Sequence, residues 1–377
     1  MPNMMDYLTW RGDLSLRAAP WCLVDSLILA SLSYNPFGQT IASPEGMTLR
    51  DCAPLLGLEK MTGNLYFQQW RALLLTMAET ERFGSMRLHN GVDLVDPARG
   101  MQFAALTAEL SDGSCLIAFR GTDSTLVGWR EDFNMSFESP VPAQTEATAY
   151  LTACAAQTSR PLRVVGHSKG GNLAAYAAAH APAEVQQRLL CVCSFDGPGL
   201  DDATMSSEGY ARIRPVLSSV LPQSSVVGLL MNYHTDYHVV KSTAVSLFQH
   251  DAFTWQLQGP RFVELQQVDA GSRIMDETVH DWLAQATPAQ RKTFVDAMFE
   301  ILGGAHVDTI QEMRSEKFRS ALAMLQATWD MDPEMRRMFN HLLGEFFRLG
   351  AGNVWETLTA HVPLLHPAEK PGHAAEG

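Results

Sequence analysis

Hydrophobic positions along the chain fall into three textures. Up to about residue 85, apolar side chains recur at helical spacing, with Leu23, Leu27 and Ala30 in one segment and Leu65, Trp70, Leu73 and Met77 in another. A Pro-, Gly- and Ser-rich loop, Asn35 to Gly46, divides these helices. Near Met86 the period changes. Gln102 to Leu110 reads as a strand, Ser111-Asp112-Gly113-Ser114 as a turn and Cys115 to Phe119 as a second strand, which predicts a hairpin. A helix is expected around Gln144 to Ala156, then a short apolar strand at Arg163-Val164-Val165, a further helix, and a buried strand over Leu189 to Phe195. Strand, helix and strand in that order imply a parallel sheet with helices on its faces. Val226 to Met231 reads as one more strand, and Asp201 to Gln223 as a mobile cap between sheet strands. From about Gln258 helical spacing returns, with Phe294, Met298 and Leu302 on one face and Phe339, Leu342 and Phe346 on another. The pattern therefore predicts a helical N-terminal cap region over 1–85, an α/β core over 86–260, a helical region over 261–360 and a disordered tail over 361–377.

Charge narrows the partners. With 28 Lys+Arg against 41 Asp+Glu the net charge is −13, which argues against a nucleic-acid partner and against tight adhesion to an anionic membrane. No window approaches the roughly 20 apolar residues that cross a bilayer, so no transmembrane segment is expected. The first residues hold no basic stretch followed by an apolar run, and a cytoplasmic location is the default expectation. Six scattered cysteines include no CxxC pair. Cys191 and Cys193 alternate along an apolar stretch and read as small buried strand residues.

The strongest chemical signal lies between Val164 and His180. Gly166-His167-Ser168-Lys169-Gly170 matches G-x-S-x-G, preceded by an apolar strand and followed by an alanine-rich helix, the setting of a nucleophile elbow in an α/β-hydrolase fold. A serine on so tight a strand-to-helix turn is strained, and residues two positions away on either side collide unless they are glycine. The turn lifts the Ser168 hydroxyl above the sheet and sets the Lys169 N–H at a helix N-terminus, facing a developing oxyanion. The Lys169 side chain itself is expected to reach solvent, as long basic side chains do.

Residues Cys115 to Phe133, CLIAFRGTDSTLVGWREDF, resemble the F-R-G-[ST] segment of class 3 lipases with its downstream Trp and Asp. Together with GHSKGG they look closer still to the bacterial Mbeg-like proteins, a lipase-fold family. The resemblance runs from about Leu14 to Trp255. It implies that Thr122, the residue after R-G, lines an oxyanion hole opposite Lys169. The residues agree, since Phe119-Arg120-Gly121-Thr122 ends an apolar strand in a glycine turn. Lys169 departs from the class 3 pattern, which usually has Leu after the nucleophile.

Triad partners in this fold follow the order Ser, acid, His, and the acid must end a later sheet strand. Two aspartates compete: Asp196, directly after the strand at Leu189 to Phe195, and Asp236, beyond Val226 to Met231. The resemblance to class 3 lipases, whose acid comes one strand later and before an apolar pair like Val239-Val240, favours Asp236 and leaves Asp196 as the alternative. For the base, His250 follows the apolar run Ala244 to Phe248, and Gln249-His250-Asp251 with Trp255 resembles the Mbeg-like pattern; His238 is its alternative. His167 sits on the elbow with its ring expected to point away from Ser168. The expected function is a serine hydrolase acting on small-molecule or lipid acyl esters through an acyl-enzyme, with no metal or organic cofactor. A thioesterase, amidase or acyltransferase with the same triad, or a non-catalytic binding protein, is the alternative.

Overall fold

A computed structural model describes residues 1–58, 65–122, 127–128, 131, 134–135, 138–225, 227–229, 237–244 and 249–268. Contacts divide the chain into Met1–Phe299 and Glu300–Gly377, and every described residue belongs to the first. The helical expectation for 269–360 and the tail at 361–377 lie outside the described residues.

Strands run through the middle of the molecule in sequence order. The sheet contains β1 (Met47–Thr48), β2 (Arg87–Asp96), β3 (Met101–Glu109), β4 (Cys115–Phe119), β5 (Leu162–His167), β6 (Leu189–Phe195), β7 (Leu217–Pro222) and β8 (Tyr237–Val240). Beyond these, β9 (Leu257–Gln258) and β10 (Arg261–Phe262) form a small ribbon, and β11 (Glu264–Leu265) closes the edge against β8. Pairing is antiparallel from β1 to β4, parallel from β4 to β8, and antiparallel again at β11. The predicted hairpin is present, with Ala105 opposite Phe119 and Glu109 opposite Cys115. The sheet thus reaches past the boundary expected at residue 260, because β11 supplies an antiparallel edge to the parallel strands.

Helices make the other two layers: α1 (Met4–Arg11), α2 (Leu23–Leu32), α3 (Leu65–Glu79), α4 (Pro142–Ala156) and α5 (Lys169–His180). The parallel strands are apolar on both faces, as strands covered on both sides must be. On β4, Leu116 and Ala118 enter the core shared with α2 and α3, while Ile117 and Phe119 enter the core under α4 and α5. Val165 and Val164 of β5, and Cys193 and Val192 of β6, divide the same way. The alternation, each strand buried on both sides, is what the short apolar runs encode. A mixed sheet with a parallel centre, held between two helical layers and carrying a serine elbow between β5 and α5, is an α/β-hydrolase fold. Among the described residues no helix is long and apolar enough to cross a membrane.

One strand is additional to the sequence reading and one expectation changes. β2 does not stand out in the sequence because Asn90-Gly91 interrupts it; there the strand bulges between His89 and Val92, with Asn90 at φ 54°. The strand expected over Val226 to Met231 is at Leu217–Pro222 instead, inside the stretch expected to be a cap, and Val227–Leu229 forms a 3-10 turn. A short apolar run does not distinguish a strand from a buried turn. The stretch 201–223 otherwise holds short helices at Asp202–Met205 and Glu208–Ile213.

The N-terminal helices are part of the sheet's packing. Val24 to Leu32 are all buried, and α2 lies across β4, β5 and β6. Asp25, which interrupts this apolar run, is fully buried and takes two bonds from Arg82, at 2.7 Å from Nε and 2.6 Å from Nη2. It also accepts from the Tyr7 hydroxyl at 2.8 Å and the Cys22 N–H at 2.9 Å. Burial, with the Asp25 charge beside it, pushes the Tyr7 hydroxyl well above its usual range, so it acts as a donor throughout. One carboxylate thereby joins α1, α2 and the turn after α3. Replacing Arg82 by Met should leave this buried carboxylate uncompensated and cost about 3–5 kcal/mol. Urea unfolding of Arg82→Met measures that loss, and a change under about 1 kcal/mol, the range of exposed ion pairs, would contradict the assignment.

Candidate active site

Ser168 sits where the elbow requires it, at φ 59° and ψ −135°, between the end of β5 and the first residue of α5. Positive φ is costly for a residue with a Cβ, and here the surroundings leave no alternative. A methyl on Gly166 would lie 2.0 Å from the Gly170 carbonyl oxygen, and one on Gly170 would lie 2.2 Å from the Phe119 carbonyl oxygen. The two glycines of the motif therefore let β4, β5 and α5 converge. The Gly171 N–H donates to the Ser168 carbonyl at 2.8 Å, starting the helix, and the Ser168 N–H donates to Phe195 at 2.9 Å.

Asp196 follows β6 directly, also at positive φ, 46°. Its side chain is 1% exposed, and its Oδ2 lies 2.7 Å from His250 Nδ1. The other oxygen, Oδ1, accepts from the Ser225 hydroxyl and from the Gly228 N–H at 3.2 Å. The 3-10 turn at Val227–Leu229 thus cradles the carboxylate. Asp236, which the resemblance favoured, lies outside the described residues; the carboxylate on His250 is the alternative, Asp196. His238 faces away from this cluster in its contacts, with Nδ1 3.7 Å from Glu264 at the sheet edge.

His250 is held on both sides. Gln249 donates from Nε2 to Ser224 Oγ and to the Ala244 carbonyl, each at 3.0 Å, and the buried Trp255 donates from Nε1 to the Gln249 carbonyl at 2.7 Å. His250's ring lies 4.7 Å from that of His167, tilted by 34°, so it rests against the residue preceding Ser168. With Nδ1 on Asp196 and the side chain 30% exposed, Nε2 is the nitrogen left for chemistry.

Sequence reasoning assigned no role to His167 or Tyr34. The His167 ring lies between Tyr34 and the base candidate: Nε2 donates to the His250 carbonyl at 2.9 Å, and Nδ1 accepts from the Tyr34 hydroxyl at 2.9 Å. The carbonyl can only accept, so Nε2 carries the proton. Burial, then the neighbouring His250, lowers the His167 pKa to about 3, and the ring stays neutral. Tyr34, stacked on Trp70 at 4.5 Å, comes from the loop after α2. The only sequence signal was a tyrosine closing a buried helix.

Gly121 brings the second strand end to the serine. A methyl there would lie 2.0 Å from Tyr34 Oη and 3.0 Å from Ser168 Cβ, so the turn before Thr122 packs directly on Ser168. Arg120 anchors that turn, bidentate to Asp93 of β2 at 2.8 Å on each arm. Thr122 is half-buried. Lys169 begins α5 as expected, but its side chain does not reach solvent. It is fully buried, with Nζ 2.7 Å from the Gln102 carbonyl and 3.1 Å from Glu131 Oε2, because an acidic partner waits inside.

His167 gives a pH signature. Unfolded, it titrates near 6.5; folded, near 3, so below about pH 6.5 the unfolded chain binds the extra proton first. Its contribution to stability is full above that value and is lost as pH falls toward 3, by up to about 1.4 kcal/mol per pH unit. Ring NMR of His167 should show no titration between pH 8 and 5; a midpoint near 6.5 would contradict its burial as a neutral ring.

The chain can now be set beside known proteins. No curated protein matches it. Among solved structures, a fungal lipase in complex with an inhibitor is 14% identical, with a TM-score of 0.35 over 58% of this chain and 77% of that one. M37 lipase is 13% identical, with a TM-score of 0.33 over 54% of this chain and 68% of that one. Both likenesses are distant. The Mbeg1-like family model matches residues 77–300, more than half of the chain and the whole of the strand, elbow and histidine segment, and this protein belongs to the Mbeg1-like family.

Proposed function

We propose that this protein is a serine hydrolase of carboxylic esters, with Ser168 as nucleophile, His250 as general base and Asp196 as the acid of the triad. One observation carries the reading: a histidine held at Nδ1 by a buried carboxylate rests against His167, the residue that precedes a serine strained at positive φ on a glycine-bounded elbow. Each role has its physical reason. Asp196 orients the His250 ring, fixes the proton on Nδ1 and stabilises the imidazolium that forms. His250 Nε2 takes the Ser168 proton as the oxygen attacks the acyl carbon. The Lys169 N–H, at the positive end of α5, and the Thr122 N–H receive the charge on the former carbonyl oxygen. His250 then protonates the departing alcohol, and a water activated by the same ring releases the acid and restores Ser168.

Asp196 is preferred to Asp236 because it already occupies Nδ1 and its second oxygen is held by Ser225 and Gly228, leaving little freedom to turn away. The same groups would serve a thioesterase, amidase or acyltransferase; a binding protein would need none of the strain at Ser168.

A fluorophosphonate probe should label Ser168 in the folded protein and leave Ser168→Ala unmodified. A protein that takes up no probe would be the binding protein. p-Nitrophenyl esters of graded chain length, run beside thioester and anilide analogues, identify the acyl class. Asp196→Asn should lower kcat by up to about 10⁴-fold, the scale for losing a triad acid, with Asp236→Asn near wild type. The reverse ranking would move the acid to Asp236.

A further inference from the structure

The nucleophile elbow carries a charge where an apolar side chain would fit the interior at less cost. Burying an ion pair is seldom a gain over a well-packed apolar pair, and its best-attested use is to set register. Lys169 reaches inward from the first turn of α5 and donates to the Gln102 carbonyl and Oε1, each at 2.7 Å, and to Glu131 Oε2 at 3.1 Å; all three side chains are fully buried. Glu131 in turn accepts from the Gln102 N–H at 2.9 Å and, through Oε1, from the Ala143 N–H at 2.8 Å at the start of α4. The next residue, Gln144, donates to Asn172 of α5 at 2.9 Å, which closes a circuit back to the helix that Lys169 begins.

This circuit touches both halves of the oxyanion hole. Gln102 lies two residues before Ala104, whose carbonyl accepts from the Arg120 N–H at 2.9 Å, and Arg120 leads directly into Gly121 and Thr122. On one side Lys169 offers its own N–H; on the other its side chain grips the strand that holds the Thr122 turn. We propose that the Lys169 ammonium and Glu131 carboxylate are a positioning pair, holding the two amides at the separation an oxyanion requires. The proposal rests on the serine-hydrolase reading above. Donors in such a hole work within about 0.5 Å of the productive geometry, and a directional clamp of five bonds, tying α5 to the neighbouring β3, meets that demand where apolar packing would let α5 shift over the sheet.

Lys169→Met keeps the backbone N–H and removes only the clamp, but strands the Glu131 charge and lowers the melting temperature. The double variant Lys169→Met, Glu131→Gln removes both charges and should recover most of the melting temperature. If the pair positions the amides, the double variant still loses about 10-fold or more in kcat, toward the 10²–10³ seen when one oxyanion donor is removed, with KM within about threefold. Its rate of fluorophosphonate labelling falls in parallel, because that reaction develops the same charge. Glu131→Gln alone, which keeps Lys169 on Gln102, should lose less, and it carries the test if the double variant does not fold. A variant with recovered stability and kcat within twofold of wild type, or one whose loss is all in KM, overturns the positioning role. Wild-type protein that takes no probe overturns the hydrolase reading itself, and this role with it.

Discussion

The turn that holds Ser168 at positive φ constrains its surroundings in every direction. Holding a side chain out of that bend requires the chain to come close to itself, and Gly166 and Gly170 exist to let carbonyls of the elbow and of β4 approach where a methyl could not. The same closeness shapes α5. A helix starting so near the sheet favours small side chains, and Ala174, Ala177 and Ala178 are packed there with no exposure. The strain is maintained because β4, β5 and β6 are covered on both faces and cannot relax outward. The geometry of the elbow and the packing of the core are one problem in this protein, solved at the C-terminal ends of three adjacent parallel strands.

Polar groups inside the molecule follow the rule that a buried charge keeps a partner. Asp25 with Arg82 does this on the face covered by α2, and Lys169 with Glu131 does it on the other side. Their effects differ. The first gathers the N-terminal helices onto the sheet and so carries Tyr34 to His167, although Tyr34 lies before the segment that the family model matches. The N-terminal region is thereby a packing layer of the fold, and the group it brings to the site is a hydroxyl that donates to the free ring nitrogen of a neutral histidine. The second pair lies inside the α/β core, between the elbow and the strand beside the Thr122 turn.

Much of the site was legible because its demands are local. A glycine two residues to either side of Ser168, an apolar strand before it and alanines after it are requirements of one turn, and they stand next to one another in the chain. The F-R-G-T strand end and the Gln249-His250-Asp251 segment are legible for the same reason. The acid was harder. Asp196 and Asp236 both follow apolar runs, and choosing between them depends on which run is a strand. The run at Val227–Leu229 is a turn whose Gly228 N–H faces Asp196, while the strand is Leu217–Pro222, with two serines that blur its apolar signal.

The sequence by itself determined the hairpin of β3 and β4, the strand–elbow–helix unit around Ser168 and the strand after α5, since each is set by periodicity or by the sterics of a few adjacent residues. Only the tertiary structure showed that Asp196 reaches His250, that Lys169 turns inward, and that Tyr34 meets His167 from 133 residues away. Those outcomes depend on contacts between segments distant in the chain. A long side chain seeks water unless a partner waits in the interior, and the sequence does not state which residues the fold will bring face to face.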